Sequence, residues 1–298
     1  MTGTQDEKEF AAGLLKTLAN EGITSADPGS WLGASELSSI ESSLPIDEKV
    51  SVSPSNLQSF SECGLKWFIE KSGGRDGDST AQLLGIAIHA LAAMLKENPD
   101  MKVKEMEDRL ASNWALIDGN KGWVRDYQFT RAVDKLRKFY EWQQKNPNSL
   151  FAVEAKFHKE IGRAIFNGSV DRVEIDAQGR VYIVDLKSGA SDVTKDAAQD
   201  HKQLAGYQLA IYEESFTEIK PGSQSGGAEL VFLGNDSKSA SVKKQGPLDH
   251  QAIKEEVVAA ADAMSAAEFS ATVNKHCRTC AVSLICPIQP QGRSVIEP

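Results

Sequence analysis

The sequence predicts an α/β fold, with a helical N-terminal region leading into a central sheet that is flanked by helices. Two observations carry this expectation. Apolar residues recur at helical spacing as far as about Gln144, and the period then switches to strand-like alternation between Phe151 and Leu186. A further helical stretch and then more strand-like runs follow, so strands and helices are mixed into one core.

The elements follow in order. Phe10 to Leu18 has helical apolar spacing, and Gly, Ser, Asp and Pro then dominate through Ser43, which reads as a short helix and a connector. Ser53-Pro54 supplies an N-cap and a first-turn proline. Leu57, Phe60, Leu65, Phe68 and Ile69 continue as one helical face up to Gly73-Gly74. Further helices are expected over Thr80–Lys96, Val103–Ile117 and Asp126–Gln144, ending at Asn146-Pro147-Asn148. Phe151–Glu160, Ala164–Glu174 and Arg180–Leu186 read as consecutive antiparallel strands, the last two joined by the turn at Asp176–Gly179. A helix over Asp196–Glu214, strands at Ala228–Leu233 and Ser239–Lys244, and a helix over Gln251–Ala266 complete the pattern. In domain terms, residues 1–50 form an extension and residues 51–298 one domain. Its parts are helical (51–150), catalytic α/β (151–247) and a C-terminal helix with a cysteine cluster (248–298).

Composition narrows the class. The chain has 298 residues, 41% hydrophobic and 25% charged, and a net charge of −9. Such a balance suits a globular protein and excludes one that coats duplex DNA through bulk charge. No apolar run reaches the roughly 18 residues of a membrane span. The polar, acidic start Met-Thr-Gly-Thr-Gln-Asp-Glu-Lys is unlike a targeting segment, so a cytoplasmic location is expected. In that reducing compartment Cys63, Cys277, Cys280 and Cys286 read as metal ligands rather than disulfides. The spacing C-x₂-C-x₅-C, with Cys63 as a distant fourth ligand, suits zinc or an iron–sulfur cluster.

The chemistry concentrates in Gly168-Ser-Val-Asp171-Arg-Val-Glu174 and Val184-Asp185-Leu186-Lys187. Residues two apart on a strand share a face, so Asp185 and Lys187 point the same way. Asp171 sits one hairpin away, where it can approach Asp185. Two convergent carboxylates form a hard-oxygen site for Mg²⁺ or Mn²⁺, with the lysine beside it to stabilise charge. His158 and His201 read as surface residues, and Glu174 as a strand residue with a supporting role open to it.

These residues resemble the core of RecB-like PD-(D/E)xK nucleases. Gly85-Ile-Ala-Ile-His89 resembles that family's Gly-x-x-x-His motif, and Gln203-Leu-Ala-Gly-Tyr207 its Gln-x-x-x-Tyr motif. The resemblance implies a mixed central sheet and a Mg²⁺ or Mn²⁺ ion on His89, Asp171, Asp185 and the Leu186 carbonyl. It assigns catalysis to Asp171, Asp185 and Lys187, supported by Gln203 and Tyr207. The cysteine layout resembles AddB-type nucleases, which implies a [4Fe–4S] cluster on Cys63, Cys277, Cys280 and Cys286, with Zn²⁺ as the alternative.

Ala26-Asp27-Pro28-Gly29-Ser30-Trp31, Cys63-Gly-Leu-Lys-Trp67-Phe68 and Gly226-Gly227-Ala228-Glu229 resemble the nuclease module of AdnA/AdnB-type helicase–nucleases. That likeness implies a deoxyribonuclease, exonuclease in preference to endonuclease, acting on single-stranded DNA during break processing. Its partners would be DNA and a helicase motor, because no Gly-x-x-x-x-Gly-Lys-Ser/Thr loop occurs in this chain. A catalytically idle scaffold that binds DNA ends is the alternative.

Overall fold

The computed structural model describes residues 4–28, 48–73, 80–189, 192–266, 269–290 and 292. Residues 29–43 of the expected connector, which include the Gly29-Ser30-Trp31 part of its motif, and Gly74 fall outside these. The chain divides into two compact units, Met1–Ser42 and Ser43–Pro298. In the first, helix α1 (Gln5–Asn20) starts at a capping box in which Thr4 and Glu7 satisfy each other's backbone donors. None of its side chains is buried within that unit.

The second unit is built on a six-stranded mixed sheet in the order β1-β3-β4-β5-β6, with β2 on the other edge of β3. β1 (Val50–Val52) runs parallel to β3 (Ala164–Ile175), and β2 (Ser149–Ile161) antiparallel to it. β4 (Val181–Lys187) is antiparallel to β3 and parallel to β5 (Ser225–Phe232), and β6 (Ser241–Gln245) closes the sheet. β2 and β3 form the long hairpin the alternation predicts. Ile161 pairs with Ala164 across a two-residue turn whose first residue, Gly162, has φ +58°, the region that this turn requires and glycine adopts freely.

Both faces of the sheet are covered. One packs Val173, Ile183 and Leu230 against helices α2 (Pro54–Glu62), α8 (Lys202–Tyr212) and α9 (His250–Met264). The other packs Val184, Leu186, Val231 and Leu233 against α4 (Thr80–Glu97), α5 (Val103–Ile117) and α6 (Trp123–Lys145). That is why β4 reads as a nearly continuous apolar run: a central strand buried on both sides has no solvated face. Among the described residues, no helix is long and apolar enough to cross a membrane.

Two expected helices are interrupted. The first breaks at Cys63, whose extended backbone (φ −165°, ψ 107°) ends α2 and starts α3 (Gly64–Lys71). The second breaks at Asp200-His201, which separate α7 (Lys195–Gln199) from α8. In both, the apolar periodicity runs on across a change of axis that it does not register. β1, three residues long, was beyond the alternation pattern altogether.

Candidate active site and cysteine cluster

The site forms where β3 loses its neighbour. β1 pairs with β3 at Ala164–Phe166 and β4 pairs with it at Arg172–Ile175, along the same edge, which leaves 167–171 without a strand partner there. Asp171 stands at the mouth of this fork, one step past the last β3–β4 pair, Arg172 and Val184. Leu186 N–H, which ladder pairing no longer satisfies, donates instead to Asp171 Oδ2 at 2.7 Å. His89 reaches the same carboxylate from α4, with Nδ1 3.3 Å from Asp171 Oδ1. Burial lowers the imidazole pKa, but the Asp171 hydrogen bond and the charges of Asp171, Asp185 and Glu154 outweigh it, so the net shift is upward.

A further ligand candidate was missed by sequence reasoning. Glu154 offers an oxygen that lies, with donor atoms of His89 and Asp171, in a group whose members are all within 4.8 Å of one another. The signal was present in the hairpin: with Ile161 opposite Ala164, counting back along the register puts Glu154 opposite Asp171. Its φ of +48° is uncommon for a residue other than glycine, and such backbone tends to be held where a site needs it. His89, Glu154, Asp171 and Leu186 line one narrow cleft together with Arg172.

Asp185 lies outside that tightest group but beside it. It is 2% exposed. Lys187 Nζ is 2.7 Å from its Oδ2, and that oxygen has no well-directed hydrogen bond, which leaves an acceptor for an ion. Its Oδ1 accepts from Gln203 Nε2 at 3.0 Å and from Tyr207 Oη at 3.3 Å. Burial raises the Asp185 pKa and Lys187 opposes it, while the Asp171 charge raises it further. Gln203 also accepts from Lys187 Nζ at 2.9 Å. The i, i+4 pair on α8 therefore holds both charged ends of the Asp-x-Lys motif.

Gly85 admits the Ser188 hydroxyl, since a Cβ there would lie 2.9 Å from Ser188 Oγ. The close approach that Gly85 permits is thus taken by Ser188, in the loop after Lys187. Glu174 turns away from the metal cleft. It is fully buried against Arg172, accepts from Asn146 Nδ2 at 2.6 Å, and so ties the end of α6 to the sheet. His158 is exposed as expected. His201, expected at the surface, is half-buried: burial, with Lys187 and Lys275 nearby, lowers its pKa to about 4, and among the described residues its Nδ1 has no partner.

The four cysteines are all free thiols and line one cavity with Asn274 and His276. The break at Cys63 makes this possible. It exposes the ends of α2 and α3 to the C-terminal segment, so that Leu65 N–H donates to Ser270 O at 3.1 Å and Asn274 Nδ2 to Glu62 O at 3.0 Å. Phe269 stacks on Phe68 with ring centroids 4.4 Å apart. Asn274 N–H points at Cys277 Sγ, 3.3 Å away.

Fold and site together define a protein of the nuclease class. Residues 51–287 match the PD-(D/E)XK nuclease superfamily, and the chain belongs to it. Comparison with curated proteins gives no match. Among solved structures, SSO0001 is similar at 14% identity and a TM-score of 0.42, over 95% of this chain and 96% of that one. A proposed exonuclease from Eubacterium rectale is similar at 12% identity and a TM-score of 0.43, over 78% of this chain and 88% of that one.

Proposed function

We propose that this chain is a Mg²⁺- or Mn²⁺-dependent deoxyribonuclease that hydrolyses single-stranded DNA at or near ends, as an exonuclease working with a helicase in break processing. The observation that carries the reading is the fork itself, where an imidazole, two aspartates and a lysine from three separate elements meet at one strand end. His89, Asp171, Asp185 and the Leu186 carbonyl would hold the ion, with Glu154 placed to join them. A divalent ion there supplies positive charge to the phosphate and eases deprotonation of water. Asp171 keeps the Leu186 backbone turned into the cleft. Gln203 and Tyr207 fix Asp185, and Asp185 and Gln203 fix the ammonium of Lys187 beside the phosphate, where it stabilises the charge that builds as water adds and a P–O bond breaks. The net charge of −9 is no obstacle, since the attraction for phosphate is local.

The four cysteines, which line one cavity, would hold a [4Fe–4S] cluster, with zinc as the alternative. The role is structural, a clasp joining Cys63 to a segment more than 200 residues later.

The test is anaerobically purified protein incubated with end-labelled single-stranded and duplex DNA, with Mg²⁺, with Mn²⁺ and with EDTA, beside Asp185→Ala. Metal-dependent loss of label that vanishes in the variant is expected. DNA binding that survives EDTA, with no cleavage under either metal, would replace the reading with an idle end-binding scaffold.

A further inference from the structure

One face of α6 carries a pattern that neither catalysis nor packing uses. Trp123, Tyr127, Arg131 and Lys135 are spaced four apart and so run along one side of the helix. Trp123 is 79% exposed and Tyr127 52%, whereas Trp67 and Trp114 are buried. The Arg131 guanidinium lies 5.9 Å from the centre of the Tyr127 ring and donates to its hydroxyl at 3.1 Å, which holds the ring in a set position. Two open aromatic rings followed by two cations suit a sequence-tolerant platform for unpaired bases: a base can stack on each ring, and the cations neutralise the backbone phosphate beyond them.

The stripe ends in a cavity of about 300 Å³ lined by Arg131, Lys135, Lys138, Gly234 and Asn235. Two of its three cations are engaged there. Lys138 pairs with Asp134 at 2.8 Å and donates to Asn235 O at 2.8 Å, and Arg131 has Asp236 at 3.6 Å. Lys135, half-buried, has no hydrogen-bond or ion-pair partner among the described residues. Burial and the charges of Arg131 and Lys138 hold its pKa down, the mark of a cation short of an anion. The cavity also adjoins the catalytic strand. A Cβ on Gly234 would strike the carbonyl oxygens of Ser188 and Gly189, the two residues after Lys187, and Leu233 N–H donates to Lys187 O at 2.9 Å.

We propose that Trp123, Tyr127, Arg131 and Lys135 form a track for single-stranded DNA, with bases stacked on the two rings and a backbone phosphate in the cavity at Lys135. The track is roughly 18 Å long, twelve residues of helix. It ends beside the loop that follows Lys187, so a strand lying on it is delivered toward the metal cleft. This rests on the nuclease reading for its purpose, but not for its test. Duplex DNA, whose bases are already paired and stacked, gains nothing from the rings.

The full chain, Trp123→Ala/Tyr127→Ala, and Lys135→Glu with Lys135→Gln are compared in two assays. One is fluorescence anisotropy of a labelled oligothymidylate and of a blunt duplex, in Ca²⁺ at several salt concentrations. The other is hydrolysis of bis(p-nitrophenyl) phosphate, a phosphodiester too small to reach the track, in Mn²⁺. The expected result is single-strand affinity reduced about tenfold or more in the double variant, in line with two lost stacking contacts. Both Lys135 variants should show a weaker salt dependence, by roughly one released ion. Duplex binding and hydrolysis of the small diester should be unchanged. Single-strand binding equal to wild type in all variants, or a loss equal on duplex, would overturn the track. Failure of the wild type to hydrolyse both the small diester and end-labelled single-stranded DNA in Mn²⁺ would instead sink the nuclease reading, and the binding assay would still decide the track.

Discussion

Asp185 is where stability and activity pull apart, and two substitutions separate them. The carboxylate is 2% exposed, and burial disfavours its charge even with Lys187 beside it. In Asp185→Asn the amide oxygen still accepts from Gln203 and Tyr207, while Lys187 keeps its bond to Gln203 Oε1 and is itself 32% exposed. The new Nδ2 stands where Oδ2 was, 2.7 Å from the Lys187 ammonium, and must turn that lysine toward solvent, while a costly buried charge is gone. The melting temperature should therefore stay close to that of the wild type. In Asp185→Ala, Gln203 Nε2 and Tyr207 Oη lose their shared acceptor, which costs about 1–3 kcal/mol. At roughly 2–4 °C per kcal/mol for a domain of this size, the midpoint falls by several degrees. Both variants lose a charged ligand, worth several kcal/mol of transition-state stabilisation, so both should cleave about a thousandfold more slowly or worse. Thermal scans in EDTA beside release of labelled nucleotide in Mg²⁺ read the two effects separately. If Asp185→Asn melts as low as Asp185→Ala, the energetics assigned to this carboxylate are wrong; if it still cleaves at the wild-type rate, its place in the site is wrong.

Other substitutions probe other parts. Glu174→Ala strands the guanidinium of Arg172, which is 2% exposed, against the ring of Trp142, and should cost about 3–5 kcal/mol in a denaturant titration. His201 has its folded pKa depressed to about 4, below the unfolded value of about 6.5, so the unfolded chain binds the extra proton first. Its contribution is therefore complete above pH 6.5 and is lost as the pH falls toward 4, by at most about 3 kcal/mol. His201→Gln should flatten unfolding free energy measured across that window, and an unchanged slope would count against the assignment. Cys286→Ser should abolish the absorbance near ~400 nm of anaerobically purified protein and lower its melting temperature. A colourless wild type that carries zinc by elemental analysis would assign the cavity to zinc instead.

Much of the fold was legible because its long elements carry strong periods. Val103–Ile117 has the boundaries its apolar spacing predicts, and the hairpin strands fall within two residues of theirs. What escaped did so for physical reasons. A helix break that keeps the same apolar face, as at Cys63 and His201, changes direction without changing pattern. Glu154 sits in an alternating strand like any solvated acid, and only the hairpin register gives it a partner in Asp171. His201 looked like surface because a single polar residue ahead of an apolar helix says nothing of the lysines that fold beside it. Glu174 likewise reads as one more strand carboxylate until Arg172 and Asn146 close around it.

The same reasoning explains why the chemistry lies at a fork rather than on a complete ladder. A strand paired on both edges spends its N–H and C=O groups on neighbours, so its backbone has nothing left to turn toward a ligand. β3 loses its partner on one edge at 167–171, and the first consequence is an unpaired Leu186 N–H that Asp171 can capture. That bond fixes the acid and the Asp185–Leu186 peptide, one step before the peptide that carries the Leu186 carbonyl. β4 continues in register with β5 as far as Lys187 and Phe232, so the free edge does not loosen the catalytic strand. The opening at the site is thus confined to one edge of one strand. His89 and the Leu186 N–H meet the Asp171 carboxylate there while the opposite edge of β4 stays locked into the sheet.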